Sequence, residues 1–209
     1  MKKADWYFDF ISPFAYIGLR RLQRFSGRLD IRHRPVLFAA LLDHWENKGP
    51  AEIAPKRAWT FRWCTWWAGH LGIPFRMPAA HPFNPLPYLR LSIAAGNSFD
   101  AVSKIFDALW TTGVDPTDQR AFARLAQSLN VDPARLADRE IKDALRVQTE
   151  QAISLGVFGV PTLIVDQESF WGADAMEFVD AWLADPGIVS TPEMLRVSTL
   201  PVGVSRKQT

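Results

Sequence analysis

An α/β fold is predicted by three features of this sequence. It would have a β-α-β half at the start and a β-β-α half near the end, with a long all-helical insertion between them. First, the aromatic, β-prone run Trp6 to Phe10 breaks into a helix at Ser12-Pro13, and a second strand-like run follows at Ile31 to Leu37. Second, about Phe38 to Leu155 carries helical spacing, punctuated by glycine and asparagine. Third, Gly159-Val160-Pro161 leads into the β-prone run Thr162 to Val165, then a turn, a short return strand and an apolar-faced helix.

Each element has its own signal. Serine at an N-cap with proline at the first helical position starts a helix that runs from Phe14 to Phe25 and stops at Gly27. The strand after it ends near Pro35, and the crossover is expected to be right-handed. In the insertion, helices are expected over Lys56–Leu71, Leu86–Ala95, Phe99–Trp110 and Thr117–Leu129, the last capped by Asp115 or Thr117. Asp132-Pro133 starts another, and Asp138–Leu155 closes at Gly156. The stretches Gly49–Pro55 and Pro74–Pro87 are proline-rich and read as loops. Asp166-Gln167 reads as a tight turn, Ser169–Trp171 as the return strand, and Ala173–Leu183 as the last helix. After Pro186 no periodicity stands out. The pattern gives a thioredoxin-type domain from 1–38 and 156–186, a helical insertion domain from 39–155 and a tail from 187–209.

Composition narrows the function. The chain has 209 residues, 48% apolar, which is enough to bury a full core. The formal net charge is +2 and the basic residues are scattered, so no nucleic-acid partner is expected. No stretch is apolar enough to cross a membrane, and Met1-Lys2-Lys3 leads into a strand without a signal-peptide pattern; a cytoplasmic enzyme is expected. Cys64 is the only cysteine, sits among tryptophans, and reads as a buried, inert thiol. His33, His44, His70 and His81 lack ligand spacing, so no metal is expected. Gly18, alone inside a helix, needs a packing reason.

Three places carry chemistry. Ser12 sits where a strand meets a helix N-terminus, a position that favours an anion and pushes a bound thiol toward thiolate. Ser12 is also explained as a plain N-cap, and the two roles are compatible. Val160-Pro161 is either a trans proline opening an edge strand or a cis proline. The cis form would present the Val160 N–H and C=O along a cleft, where an extended peptide could pair with them. Asp174, in the first turn of the last helix, either caps that helix or holds the charged amino-acid end of a ligand. Lys56, Trp59, Trp63 and Trp67 share a helical face, which suits either core packing or a wall for a flat aromatic ligand.

The order of these motifs carries a resemblance. Phe8-Asp9-Phe10-Ile11-Ser12-Pro13-Phe14-Ala15-Tyr16, then Phe158-Gly159-Val160-Pro161-Thr162, then Trp171-Gly172-Ala173-Asp174 resembles the 2-hydroxychromene-2-carboxylate isomerase family. That family is close to the kappa-class glutathione transferases and belongs to the DsbA-like thioredoxin group. The resemblance runs to about Leu183.

It implies glutathione as cofactor, a small aromatic carboxylate as substrate and a homodimer. It implies that Ser12 activates the glutathione sulfur, that Val160, before a cis Pro161, pairs with the cysteinyl unit, and that Ala173 and Asp174 hold the γ-glutamyl end. Asn47 and Lys56 match insertion residues that reach the ligand; Asn84, Pro87 and Arg90 match the family's Asn…Pro…Arg stretch, with Arg90 suited to a carboxylate. The chain departs from the pattern at Trp59, where tyrosine is usual, at Trp63 and Trp66, where an acidic and a basic residue are usual, and at Ala175, where arginine is usual.

The first reading is therefore a glutathione-dependent isomerase. A kappa-type transferase or peroxidase and a non-catalytic glutathione- or peptide-binding protein are the alternatives. A dithiol oxidoreductase is the weakest, because the slot for a Cys-x-x-Cys pair reads Ser12-Pro13-Phe14-Ala15.

Overall fold

The computed structural model describes residues 1–204. A four-stranded mixed sheet has the order β2-β1-β3-β4, with β1 Lys2–Phe8, β2 Leu29–Pro35, β3 Thr162–Val165 and β4 Glu168–Trp171. β1 runs parallel to β2 and antiparallel to β3, and β3 runs antiparallel to β4. The helices are α1 Pro13–Leu22, α2 Phe38–His44, α3 Ala54–His70, α4 Leu86–Ala94, α5 Phe99–Trp110, α6 Gln119–Ser128, α7 Arg139–Ser154, α8 Met176–Ala184 and α9 Pro192–Ser198. The β-α-β start, the helical middle and the β-β-α end are those expected.

β1 is the centre of the sheet and is covered on both faces, which explains its nearly unbroken aromatic run. Trp6 stacks on Phe8, Phe8 meets Phe10, and all three pack on Phe106 of α5, ring centroids 4.6–6.3 Å apart. Tyr7 faces the other way, onto a smaller cluster with Val36, Leu41, Ala152, Val157 and Val160. This alternation is the period-two rule of a strand.

Several boundaries differ from expectation, each for a local reason. β1 begins at Lys2, because its ladder with β2 starts at Lys2↔Leu29. It stops at Phe8 rather than Phe10, because the Asp9 side chain takes the Ile11 N–H and turns the chain out of the ladder. β2 covers Leu29–Pro35 instead of Ile31–Leu37. α6 is capped by Asp118, which accepts from Arg120 and Ala121 N–H, while Asp115 closes its own turn on Thr117. Asp132-Pro133 starts a short 3-10 turn, Pro133–Ala137, rather than a full helix. The last expected helix divides into a 3-10 turn, Ala173–Ala175, and α8. The segment after Pro186 is ordered as a 3-10 turn and α9, which starts at Thr191-Pro192 with the Thr191 hydroxyl accepting from Met194 N–H. Asp166 and Gln167 both have positive φ, 47° and 73°, as a two-residue hairpin turn requires.

Candidate active site

Strand register gathers the motifs at one end of the sheet. Tyr7 of β1 pairs with Thr162, the first residue of β3, and Thr162 pairs with Trp171, the last residue of β4. Phe8 pairs with Pro35, the last of β2. Ser12, Val160-Pro161 and Gly172-Ala173-Asp174 therefore leave the sheet side by side.

Ser12 caps α1: its Oγ accepts from the Ala15 N–H at 3.1 Å. The residue is buried, 7% exposed. Its Oγ lies 3.5 Å from the Val160 carbonyl oxygen, longer than an ordinary O–H···O bond. The oxygen is thus engaged as an acceptor, with only this long contact for its proton.

Val160-Pro161 is cis. Val160 makes no backbone–backbone hydrogen bond among the described residues, whereas the next carbonyl, of Pro161, accepts from Gly172 N–H at 2.9 Å. Two glycines allow this close assembly. A Cβ on Gly18 of α1 would lie 3.2 Å from Pro161 Cγ and 3.6 Å from Ala173 Cβ, which supplies its packing reason. Gly172 has φ +100°, and a Cβ there would meet Asp174 Oδ1 at 2.3 Å. Ala173 is fully buried and Asp174 is exposed. Arg21 of α1 donates to the Ala173 carbonyl at 2.5 Å and pairs with Glu177. Its guanidinium also lies over the Trp67 ring of α3, 5.5 Å from the centroid.

That contact links α1 and the Ala173 turn to α3. The buried face of α3 is Thr60, Cys64 and Ala68. Burial pushes the Cys64 thiol up to about 12, so it stays protonated. Trp59 and Trp63 are 64% and 37% exposed, so the core-packing reading fails for them, whereas Trp67 is half-buried and packs against the core; Trp66 is 58% exposed. They stack into a ladder: Trp59 on Trp63 at 6.4 Å, Trp63 on Trp66 at 5.1 Å and on Trp67 at 6.0 Å, and Trp66 on His70 at 5.3 Å.

The remaining candidates are carried by the helical insertion. Asn47 is exposed and its Oδ1 accepts from Lys48 N–H. Lys56 is exposed at the start of α3. Asn84 Oδ1 accepts from Leu86 N–H at the start of α4. Arg90 is half-buried on α4, and its Nε is buried without a hydrogen-bond partner among the described residues. No hydrogen bond among the described residues joins these four to Ser12, Val160 or Asp174.

Sequence reasoning missed Asp9, His81 and Trp110. Asp9 is fully buried, with Oδ1 accepting from Ile11 N–H at 3.0 Å and Oδ2 from Phe38 N–H at 2.9 Å. Burial outweighs those backbone donors and raises its carboxyl to about 7. A lone carboxylate between Phe8 and Phe10 was the available signal. His81 and Trp110 reach the same loop from the insertion, as the Ile11 and Phe10 carbonyls are their partners.

A sheet with this topology, a helix starting after β1, and a cis proline opening the adjacent strand define a thioredoxin-fold protein with serine at the start of that helix. The chain belongs to the DSBA-like thioredoxin domain family, which it matches over residues 3–184. It is 30% identical over 193 residues to a 2-hydroxychromene-2-carboxylate isomerase of Sphingobium xenophagum, covering 88% of this chain and 99% of that one. It is 26% identical over 209 residues to glutathione S-transferase kappa 2 of Caenorhabditis elegans, covering 88% and 93%. A solved structure of 2-hydroxychromene-2-carboxylate isomerase superposes with a TM-score of 0.76 at 26% identity, covering 87% of this chain and 94% of that one.

Proposed function

We propose that this protein is a glutathione-dependent isomerase acting on 2-hydroxychromene-2-carboxylate or a similar aromatic keto acid. The observation that carries the reading is the Ser12 hydroxyl: an N-cap oxygen already accepting one bond, with only a long contact to the Val160 carbonyl for its proton. The residues fit glutathione. The Val160 N–H is free of backbone partners, as a site that pairs with a cysteinyl unit requires. Asp174 is exposed beside it for an ammonium group, and Ala173 precedes it. Asn47 and Lys56 would contribute from the insertion side.

Glutathione, when bound, supplies a thiolate that adds reversibly to a conjugated double bond, so that the bond can rotate before elimination restores it and the thiol. Ser12 stabilises the sulfur anion by donating its proton in a hydrogen bond, with the N-terminus of α1 adding its dipole. Arg90 and Lys56 offer cations for the substrate carboxylate and for negative charge developing on its carbonyl oxygen. Trp59, with the stacked rings beside it, offers an aromatic face to a flat substrate; Asn84 holds the start of the helix that carries Arg90. A cytoplasmic homodimer active in aromatic-compound breakdown completes the proposal.

Similarity to the kappa transferase supports a second reading, in which glutathione is consumed by an electrophile. One assay separates them. The isomerase converts substrate with free thiol constant, and Ser12→Ala slows conversion about tenfold or more, the scale of a charge-assisted hydrogen bond. Loss of one thiol per turnover assigns the transferase instead, and no conversion of any aromatic keto acid defeats the first reading.

A further inference from the structure

Two successive peptide groups precede Ser12, and both are held at both ends. In the Phe10–Ile11 peptide, the carbonyl accepts from Trp110 Nε1–H at 2.9 Å and the N–H donates to Asp9 Oδ1 at 3.0 Å. In the Ile11–Ser12 peptide, the N–H of Ser12 donates to the Asp9 carbonyl at 3.1 Å and the Ile11 carbonyl accepts from His81 Nε2 at 2.8 Å. Each peptide is planar, so fixing its two ends fixes the next Cα. The second plane contains the Cα of Ser12. Trp110 belongs to α5 and His81 to the loop before α4, so the helical insertion supplies two of the four bonds.

The chemistry of His81 is set by its surroundings. A carbonyl only accepts, so Nε2 carries the hydrogen. Nδ1 is buried and has no partner among the described residues. Burial, and the positive charge of Arg57 on α3, lower the imidazole pKa against the opposing pull of the Ile11 carbonyl, so the ring is neutral at pH 7. Phe61, Phe83 and Trp110 pack around it with centroids 5.1–5.9 Å away. Asp9 is the acidic group on the same loop, and it faces the other side of Ile11.

We propose that His81 is a positioning residue for Ser12: its Nε2–H, by fixing the Ile11–Ser12 peptide, aims the serine hydroxyl at the glutathione sulfur. This rests on the glutathione reading above. His81 touches neither sulfur nor substrate, so its loss is felt in how well the bound thiol ionises rather than in whether the tripeptide binds.

The test is a pH titration of thiolate absorbance, near about 240 nm, for reduced glutathione bound to wild type, His81→Phe and His81→Gln, with the Kd of S-methylglutathione measured alongside. His81→Phe is expected to raise the apparent pKa of the bound thiol by about one unit. The S-methylglutathione Kd should stay within about twofold, because that ligand has no thiol to ionise. His81→Gln, which keeps an N–H for the Ile11 carbonyl, should restore most of the shift. An unchanged thiol pKa in a folded His81→Phe overturns this proposal alone. Absence of any bound thiolate in wild type overturns the glutathione reading and this proposal with it. Should His81→Phe fail to fold, nitrogen-15 spectra of wild-type imidazoles decide: a hydrogen-bonded Nε2–H tautomer of His81 at pH 7 supports the proposal, and an Nδ1–H tautomer or an imidazolium overturns it.

Discussion

Asp9 is a carboxyl that the fold prefers to keep protonated. Its folded value is about 7, against about 3.9 for an unfolded aspartate. The folded chain therefore binds this proton more tightly, so Asp9 contributes stability that is full below about pH 3.9 and is lost as the pH rises to about 7. At about 1.4 kcal/mol per unit, the amount is on the order of 4 kcal/mol. His33 has the opposite sign. Burial lowers it to about 4, against about 6.5 unfolded, so its cost shrinks as the pH rises through the same window. Asp9→Asn should lower stability at pH 4.5, because an amide cannot accept both backbone N–H bonds. It should also leave the His33 contribution unopposed, so that variant stability rises toward pH 7.5 relative to wild type. Urea midpoints at the two pH values check this; parallel wild-type and variant profiles would contradict it. At this scale the placement of Ser12, Val160 and Asp174 at junctions between elements was legible in the sequence, each also explained locally as a cap or a strand-opening proline. The sequence concealed His81 and Trp110, because their partners are backbone carbonyls 70 and 100 positions away.

The elements were legible where periodicity or a cap marked them, and less so where side chains competed with the ladder. α5 follows its apolar spacing from Ser98 to Trp110, and Ser98 caps it. α9 uses the same Thr-Pro start signal that Ser12-Pro13 gives α1, but it is short and has no buried face to reveal it. α3 is the instructive case. Its tryptophans recur at helical spacing, which ordinarily marks a core, yet the fully buried side is the small one, Thr60, Cys64 and Ala68, and only Trp67 packs half-buried beside it. Small residues let α3 sit close to its neighbours, and Trp59, Trp63 and Trp66 are left to stack on one another outside. Trp59→Ala should consequently change unfolding free energy by no more than about 1 kcal/mol, while raising KM for an aromatic substrate several-fold. Denaturation and steady-state kinetics on one preparation test both halves; a large loss of stability with unchanged KM would return Trp59 to a packing role.

For the molecule as a whole, the β-α-β and β-β-α halves explain why Ser12 and Val160, 148 positions apart, lie at one end of the sheet. Because β3 runs antiparallel to β1, its first residue pairs with Tyr7 near the end of β1, and β4 brings Gly172 to the same end. That convergence could be inferred from element order. What order could not give is the depth to which the insertion reaches: it covers the other side of the Ser12 loop through His81, Trp110 and the N–H of Phe38. Those contacts depend on how long loops cross the sheet, and no local pattern encodes that.

The central claim is that the Ser12 cleft binds glutathione and ionises its thiol. Calorimetric titration of wild type and Ser12→Ala with reduced glutathione, with thermal unfolding at about 10 mM ligand, tests it most directly. With a Kd of about 0.1 mM, wild type should gain about 2.7 kcal/mol of stability, and Ser12→Ala should bind more weakly or lose the thiolate absorbance. No heat and no stabilisation in wild type would contradict the claim, leaving the likeness to the isomerases as one of fold alone.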